Sequence, residues 1–354
     1  MTRAILLIVV IALVISIAGG AVGNVFGLGF LGAPMAHIQL PAEPVIPNPL
    51  VETDTAFIRD ITITNTMVAS WAAIILLVVI SVIVSRKVST VPGRLQGTIE
   101  MVFEFFLGIG ESIAGEHARR FFPLVMTIFL FIIVNNWIGI LPGFGTIGWV
   151  ESPKKVLHHA EEKAERAGEH VDVAHVDLQV FEGTGGLVML PPGSVDNHIS
   201  VEEYERGEGF DKKSQTPGLL IPYLRSANTD INTPLALALI AMVAIHWWGL
   251  STLGIFGHIG KFINFKQGPI MLIVGLLEII GELARIVSFT FRLFGNIFAG
   301  EMLLIIMAFL LPVIGLIPFL GLELFVGFMQ AIVFSVLTLV FASMAVVAHD
   351  GEHH

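Results

Sequence analysis

Residues 269–311 read PIMLIVGLLEIIGELARIVSFTFRLFGNIFAGEMLLIIMAFLL, 43 residues without an internal proline. As one helix this stretch would be about 64 Å long, twice the hydrocarbon core of a bilayer, so it must tilt steeply, bend or run partly along the surface. It also carries Glu278, Glu282, Arg285, Ser288, Arg292, Asn296 and Glu301, which a lipid-facing helix should not have. Positions 278, 282, 285, 292 and 296 lie on one helical face. An arginine at mid-membrane costs roughly 2.5–3.5 kcal/mol on insertion scales, so something must offset Arg292. One reading is a fixed ion pair with Glu301 or Glu323 that glues helices together. The other is an ion pathway, which intramembrane ionisable residues more often mark. Arg285 is different, because it lies nearer one end and has Glu282 and Glu278 within reach.

Outward from this stretch, the 354-residue chain is 55% apolar and 14% charged, with a mean hydropathy of +0.83. A soluble globular protein and a disordered tail are poor readings of such a composition. A formal charge of −10 argues against a phosphate-neutralising surface and therefore against nucleic acid as a partner. Zero cysteines exclude disulfides, thiolate metal sites and thiol nucleophiles. Six apolar stretches meet or approach membrane-crossing length: 4–18, 67–84, 122–141, 233–252, 269–311 and 318–348. The first ends in small residues and suits a signal-peptide core as well as an anchor. Arg86, Lys87, Arg94, Arg119 and Arg120 put 85–121 in the cytoplasm by the positive-inside bias, which leaves the connection 253–268 and the C-terminus inside as well. Within 85–121, Gln96–Ala114 interleaves apolar residues with Glu100, Glu104 and Glu111 and reads as an amphipathic helix.

The expected fold class is an all-α polytopic membrane protein with about five core membrane helices, an N-terminal signal or anchor segment, and a last pair of long, steeply tilted helices. It divides into 1–21 (signal or anchor), 22–66 (extracytoplasmic), 67–149 (first membrane helices and the amphipathic helix), 150–225 (a small extracytoplasmic insertion), 226–348 (the membrane core) and 349–354 (a cytoplasmic tail). In the insertion, Ser152-Pro153 reads as the cap and first residue of a helix that Gly168 stops, and 172–190 as a short hairpin. Its histidines, His158, His159, His170, His175 and His198, have no metal-ligand spacing and read as solvated. On the final stretch Glu323 and Gln330 are seven apart and share a face, with Thr338 further along; they read as a polar path or as a buried packing pair.

The run Phe291-Arg292-Leu293-Phe294-Gly295-Asn296-Ile297-Phe298-Ala299-Gly300-Glu301 closely resembles the arginine signature of subunit a of the rotary ATP synthases. Further resemblances lie at 277–285, at Met329–Thr338, at Arg119–Pro123, at Asn135–Gly143 and at Thr229–Pro234, covering roughly 60–350 with one interruption. The insertion and the N-terminal apolar segment depart from the commonest family pattern. At the position where some members have histidine, this chain has Glu323, which the family also uses. The resemblance implies a stator in a bacterial inner or plasma membrane, facing a rotating ring of c subunits. Peripheral-stalk b subunits, other ATP synthase subunits and membrane lipid are the further implied partners.

On that reading Arg292 is the essential ring-facing charge. Glu301 and Glu323 belong to an outer half-channel, Glu278 and Glu282 to an inner mouth, Ser288 to the proton path, and Asn296 and Gln330 position water or the ring carboxyl. Asn135, Asn136, Asp230 and Asn232 either widen the outer inlet or cap helix ends at the interface. His246 reads as a hydrogen-bonded packing residue. No cofactor and no metal are implied. A phosphate loop is not present, since Gly260-Lys261 is followed by Phe262, so nucleotide chemistry would reside in partners. Two rival readings are a secondary transporter whose Arg292 binds an anion, and a membrane scaffold whose charges are static pairs.

Overall fold

The computed structural model describes residues 42–46, 62–86, 88–141, 144–145, 147–167, 177–182, 187–189, 198–211, 214–262, 269–310 and 315–347, with positions 10–11 and 14–15. The questions of the 1–21 segment and the 349–354 tail therefore lie outside the described residues. Contacts divide the chain into two compact units: residues 70–138, 228–298 and 324–354 form a helical unit, and residues 1–69, 139–227 and 299–323 form a second.

The helical unit is built from α1 (Asn65–Ser85, from Ser70 onward), α2 (Arg94–Ala114), α3 (Ala118–Gly139), α6 (Asn232–Phe262), α7 (Pro269–Leu310, through Phe298) and α8 (Leu316–Val346, from Leu324). Among the described residues, four helical stretches are long and apolar enough to cross a membrane: α1, the run Arg94–Gly139, α6 as far as Ile255, and α8. α7 has the length as well, about 63 Å at 1.5 Å per residue, and carries the ionisable face. The core forms where apolar residues recur every three or four positions. Phe289 of α7 meets Phe334 of α8, and Leu293 and Ile297 of α7, Phe121 and Ile132 of α3, and Ala241 and Ile245 of α6 belong to the same buried cluster. Aromatic pairs fix the seams: Phe106 on Phe129 at 4.3 Å, Phe121 on Trp248 at 4.6 Å and Phe289 on Phe334 at 4.7 Å. The amphipathic helix of the sequence reading is α2, whose Phe106 is buried in this core.

Within the connection 253–268 the chain is helical as far as Phe262: Gly254, at φ 73° and ψ 168°, is non-helical and kinks α6 into two helical pieces.

The second unit contains α4 (Pro153–Ala167), α5 (Val201–Arg206) and a five-stranded antiparallel sheet of order β3-β1-β5-β2-β4. The strands are β1 (Ile147–Glu151), β2 (Asp177–Glu182), β3 (Leu187–Met189), β4 (His198–Ser200) and β5 (Gln215–Pro222). Helix α4 starts at Pro153 after Ser152 as its sequence requires, and Ser200 with Glu203 forms a complete capping box on α5. The expected 172–190 hairpin is overturned: β2 and β3 are not neighbours. The apolar run Leu219-Leu220-Ile221 places β5 at the centre, where it binds β1 on one side and β2 on the other, so β3 is left to the outer edge of β1. Leu178, Val180, Ile199 and Val201 form a small separate core. Before α1, Pro44 and Thr64 pair in an antiparallel bridge, with Val45 N–H donating to Ile63 O and Asn65 N–H to Glu43 O.

Candidate functional site

Helix α7 has no proline after Pro269 and one apolar stripe against the core, so its polar positions project from the remaining surface at helical spacing. In the helical unit the half-buried Arg292 donates through Nη2 to Ser288 Oγ, one turn back, at 3.4 Å. Among the described residues no carboxylate pairs with its guanidinium. One turn in the other direction, Asn296 Nδ2 donates to Gln330 Oε1 of α8 at 2.8 Å. That bond leaves Gln330 Nε2 buried and without an acceptor among the described residues. The structure thus brings together Arg292 with Ser288, and Asn296 with Gln330. Thr338 is buried, and its hydroxyl bonds back to Phe334 O.

Toward the start of α7, Glu282 and Arg285 form an ion pair, one of the two partners that spacing offered Arg285. The Arg285 guanidinium lies over the Phe341 ring, 4.5 Å from its centroid. Glu282 also faces His246 of α6, with Oε2 and Nε2 3.8 Å apart. His246 has a further neighbour that the sequence did not suggest, His258, at 3.2 Å between Nδ1 and Nε2. Glu278 is half-buried one turn before Glu282.

Asn135 donates to Phe131 O of its own helix at 2.9 Å. Asn136 ties three segments, donating to Gly327 O at 3.1 Å and accepting from Asn228 Nδ2 at 2.7 Å. Asp230 accepts from the Asn232 backbone and side-chain amides at the start of α6.

In the second unit Glu301, near the end of α7, has Arg225 as its ion partner, with Oε2 and Nη2 3.5 Å apart. Glu323, 7% exposed, sits in the notch of Gly300, where a Cβ would strike its carboxyl group. Gly295, by contrast, faces open space. Glu43 and Glu151, which the sequence reading passed over, are buried in the same unit. Glu43 binds Asn65 through both its backbone N–H and its carboxylate, each at 3.3 Å. Burial raises its pKa from the ordinary 4.5 to about 7; Arg225 and the Asn65 bond oppose the rise, while Glu151 and Glu301 add to it. Arg225, Glu43 and Glu151 carried no legible signal, because they lie outside every apolar stretch and meet only in the folded chain.

The family described as ATP synthase A chain matches residues 67–343. The ATP synthase subunit a of Gloeobacter violaceus is 29% identical over 290 residues, covering 82% of this chain and 86% of that protein. That of Trichlorobacter lovleyi is 26% identical over 280 residues, 78% of this chain and 85% of its own. That of Desulforamulus reducens reaches 42% over 143 residues, 38% of this chain and 52% of its own.

Proposed function

The chain belongs to the ATP synthase A chain family, a proton-translocating stator subunit of the membrane-embedded sector, and we propose that Arg292 is the charge on which its coupling turns. It is a multi-pass membrane protein that works with other ATP synthase subunits. The finer reading is that it faces a ring of c subunits, is held by b subunits of the peripheral stalk, and has its C-terminus in the cytoplasm.

A guanidinium keeps its proton under all physiological conditions, so Arg292 serves as a fixed cation and never as a carrier. A ring carboxyl arriving within a few ångströms of such a charge is driven toward its ionised form and gives up its proton. The same charge repels a proton attempting to pass without rotation. Asn296 and Gln330, locked to each other at 2.8 Å, leave the free amide donor of Gln330 available for that carboxyl or for water. Ser288 steadies the guanidinium from the other side. Glu301 and Glu323 are assigned to an outer half-channel, Asn135, Asn136, Asp230 and Asn232 to the outer inlet, and Glu278 and Glu282 to the inner mouth.

The observation that carries this reading is the state of Arg292 itself: a half-buried guanidinium in a membrane helix whose partner is a hydroxyl, while Arg285 and Arg225 each have a carboxylate. A static-scaffold role would neutralise all three. The test is Arg292→Ala in inverted membrane vesicles, with assembly checked by co-purification of the ring. Loss of ATP-driven proton pumping in an assembled complex is expected, and retained coupled pumping would refute the proposal.

A further inference from the structure

Two histidines of α6 meet in a way that a straight helix forbids. His246 and His258 are twelve positions apart, which at 100° per residue sets them about a third of a turn out of phase and about 18 Å apart along the axis. The break at Gly254 folds the second half of α6 back, so that His246 Nδ1 and His258 Nε2 come within 3.2 Å. A second glycine makes room for the ring: a Cβ on Gly249 would stand 2.6 Å from His258 Nδ1 and Cε1. His258 ends 6% exposed although it lies beyond the kink.

The pair does not stand alone. The other nitrogen of His246, Nε2, faces Glu282 Oε2 at 3.8 Å, and Glu282 is joined to Arg285. Glu282 lies ten residues before Arg292 on the same helix, about 15 Å along its axis. From α8 this cluster meets Phe341, which lies under Arg285, and the Ala345 carbonyl beside Gly249. From α3, Arg120 donates to the Ser251 and Thr252 hydroxyls of α6. Among the described residues, the ionisable groups that these contacts bring around the two imidazoles include Glu282, Arg285 and Arg120, with Glu278 one turn beyond Glu282.

We propose that His246 and His258, linked to Glu282, form a proton relay between the Arg292 region and the membrane face on which the α6 kink lies; it deepens the stator reading and rests on it. The chemistry follows from the two ring nitrogens. A proton arriving by way of Glu282 binds His246 Nε2. The N–H bond at His246 Nδ1 then breaks as one forms at His258 Nε2, and the N–H bond at His258 Nδ1 breaks as its proton passes to a water molecule entering from that membrane face. Both rings return to their starting tautomers by reorientation before the next transfer. One proton moves per cycle and no electrons are exchanged. A packing pair would need only one nitrogen of each ring, whereas here His246 has a titratable neighbour on each of its nitrogens.

The experiment is passive proton flux through the membrane sector in vesicles stripped of the catalytic sector, for His246→Gln, His258→Gln and Arg292→Ala. Glutamine keeps a hydrogen bond and cannot titrate. Flux in the two histidine variants is expected to fall about tenfold, to lose its dependence on pH across the imidazole range, and to recover in part with imidazole in the buffer. Assembled glutamine variants with the wild-type flux and pH profile would overturn the relay. If they fail to assemble, Gly249→Ala decides, since it removes no histidine and displaces chiefly the His258 ring, its Cβ standing 2.6 Å from the ring and 3.2 Å from the Ala345 carbonyl: reduced flux in the assembled complex supports the relay and unchanged flux overturns it. Arg292→Ala separates the two levels. Coupled pumping that survives in it, measured in vesicles that keep the catalytic sector, sinks the stator reading, whereas its loss alongside normal passive flux in the histidine variants sinks the relay alone.

Discussion

Replacing Glu43 by glutamine isolates a buried charge whose effect on stability can be worked out in advance. Glu43 is 8% exposed, and its pKa stands at about 7 against an ordinary 4.5, chiefly through burial. Below pH 4.5 the carboxyl is protonated whether or not the segment is folded. Between 4.5 and 7 the folded segment holds a proton that the opened segment releases, so stability falls as pH rises. Above 7 the full difference has been lost. A gap of about 2.5 units corresponds to about 3 kcal/mol, a ceiling that any burial surviving in the opened state reduces. A glutamine in its place cannot ionise, and its side-chain carbonyl can still accept from Asn65 Nδ2 as the carboxylate does. The assay is hydrogen exchange in the assembled complex, at the Val45 amide bonded to Ile63 O and the Asn65 amide bonded to Glu43 O. After correction for intrinsic rates, wild-type protection should fall on the order of a hundredfold from about pH 5 to about pH 8. The Glu43→Gln protein should show a nearly flat profile and exceed wild type at the alkaline end. An equal decline in both proteins would refute the assignment to Glu43.

Two further substitutions probe close approaches. Gly300→Ala would push the Glu323 carboxyl from its notch, and because that carboxyl is the mobile end of a side chain, the complex should still assemble while proton flux falls several-fold. Gly148→Val would set a side chain against the Ile221 carbonyl, which is backbone and cannot step aside; protection of the β1 and β5 amides should collapse, by exchange measured on the same complex.

The sequence revealed what is periodic and concealed what is not. α7 was legible because five polar positions repeat on one helical face within an apolar run, whereas the Asn296–Gln330 contact joins two helices and periodicity within either one does not announce it. The sheet was only glimpsed. β3 and β4 are three residues each, too short for alternation to register, and their partners β1 and β2 are far off in the chain. Arg225 was hidden differently: it borders a stretch of soluble composition, and nothing local indicates that it meets Glu301. His246 read as a packing residue because its second imidazole lies past a glycine break, and helical periodicity carries no information across a break.

The accounting of charge along α7 gives the strongest reason for placing a partner outside this chain. Glu282 and Arg285 neutralise each other, and Glu301 is matched by Arg225, so each pair offsets much of its own desolvation. Arg292 receives one hydroxyl at 3.4 Å, a weak return against the roughly 2.5–3.5 kcal/mol that an arginine costs at mid-membrane. An amide donor on Gln330 is also left unused nearby on α8. A guanidinium and an amide N–H are both donors, so no rearrangement between them satisfies either; both require an acceptor, and a carboxylate supplies two oxygens. On the proposed stator reading, that acceptor is an acidic group passing by. A ring that presents one carboxyl after another meets that requirement, and a permanent ion pair would stall it.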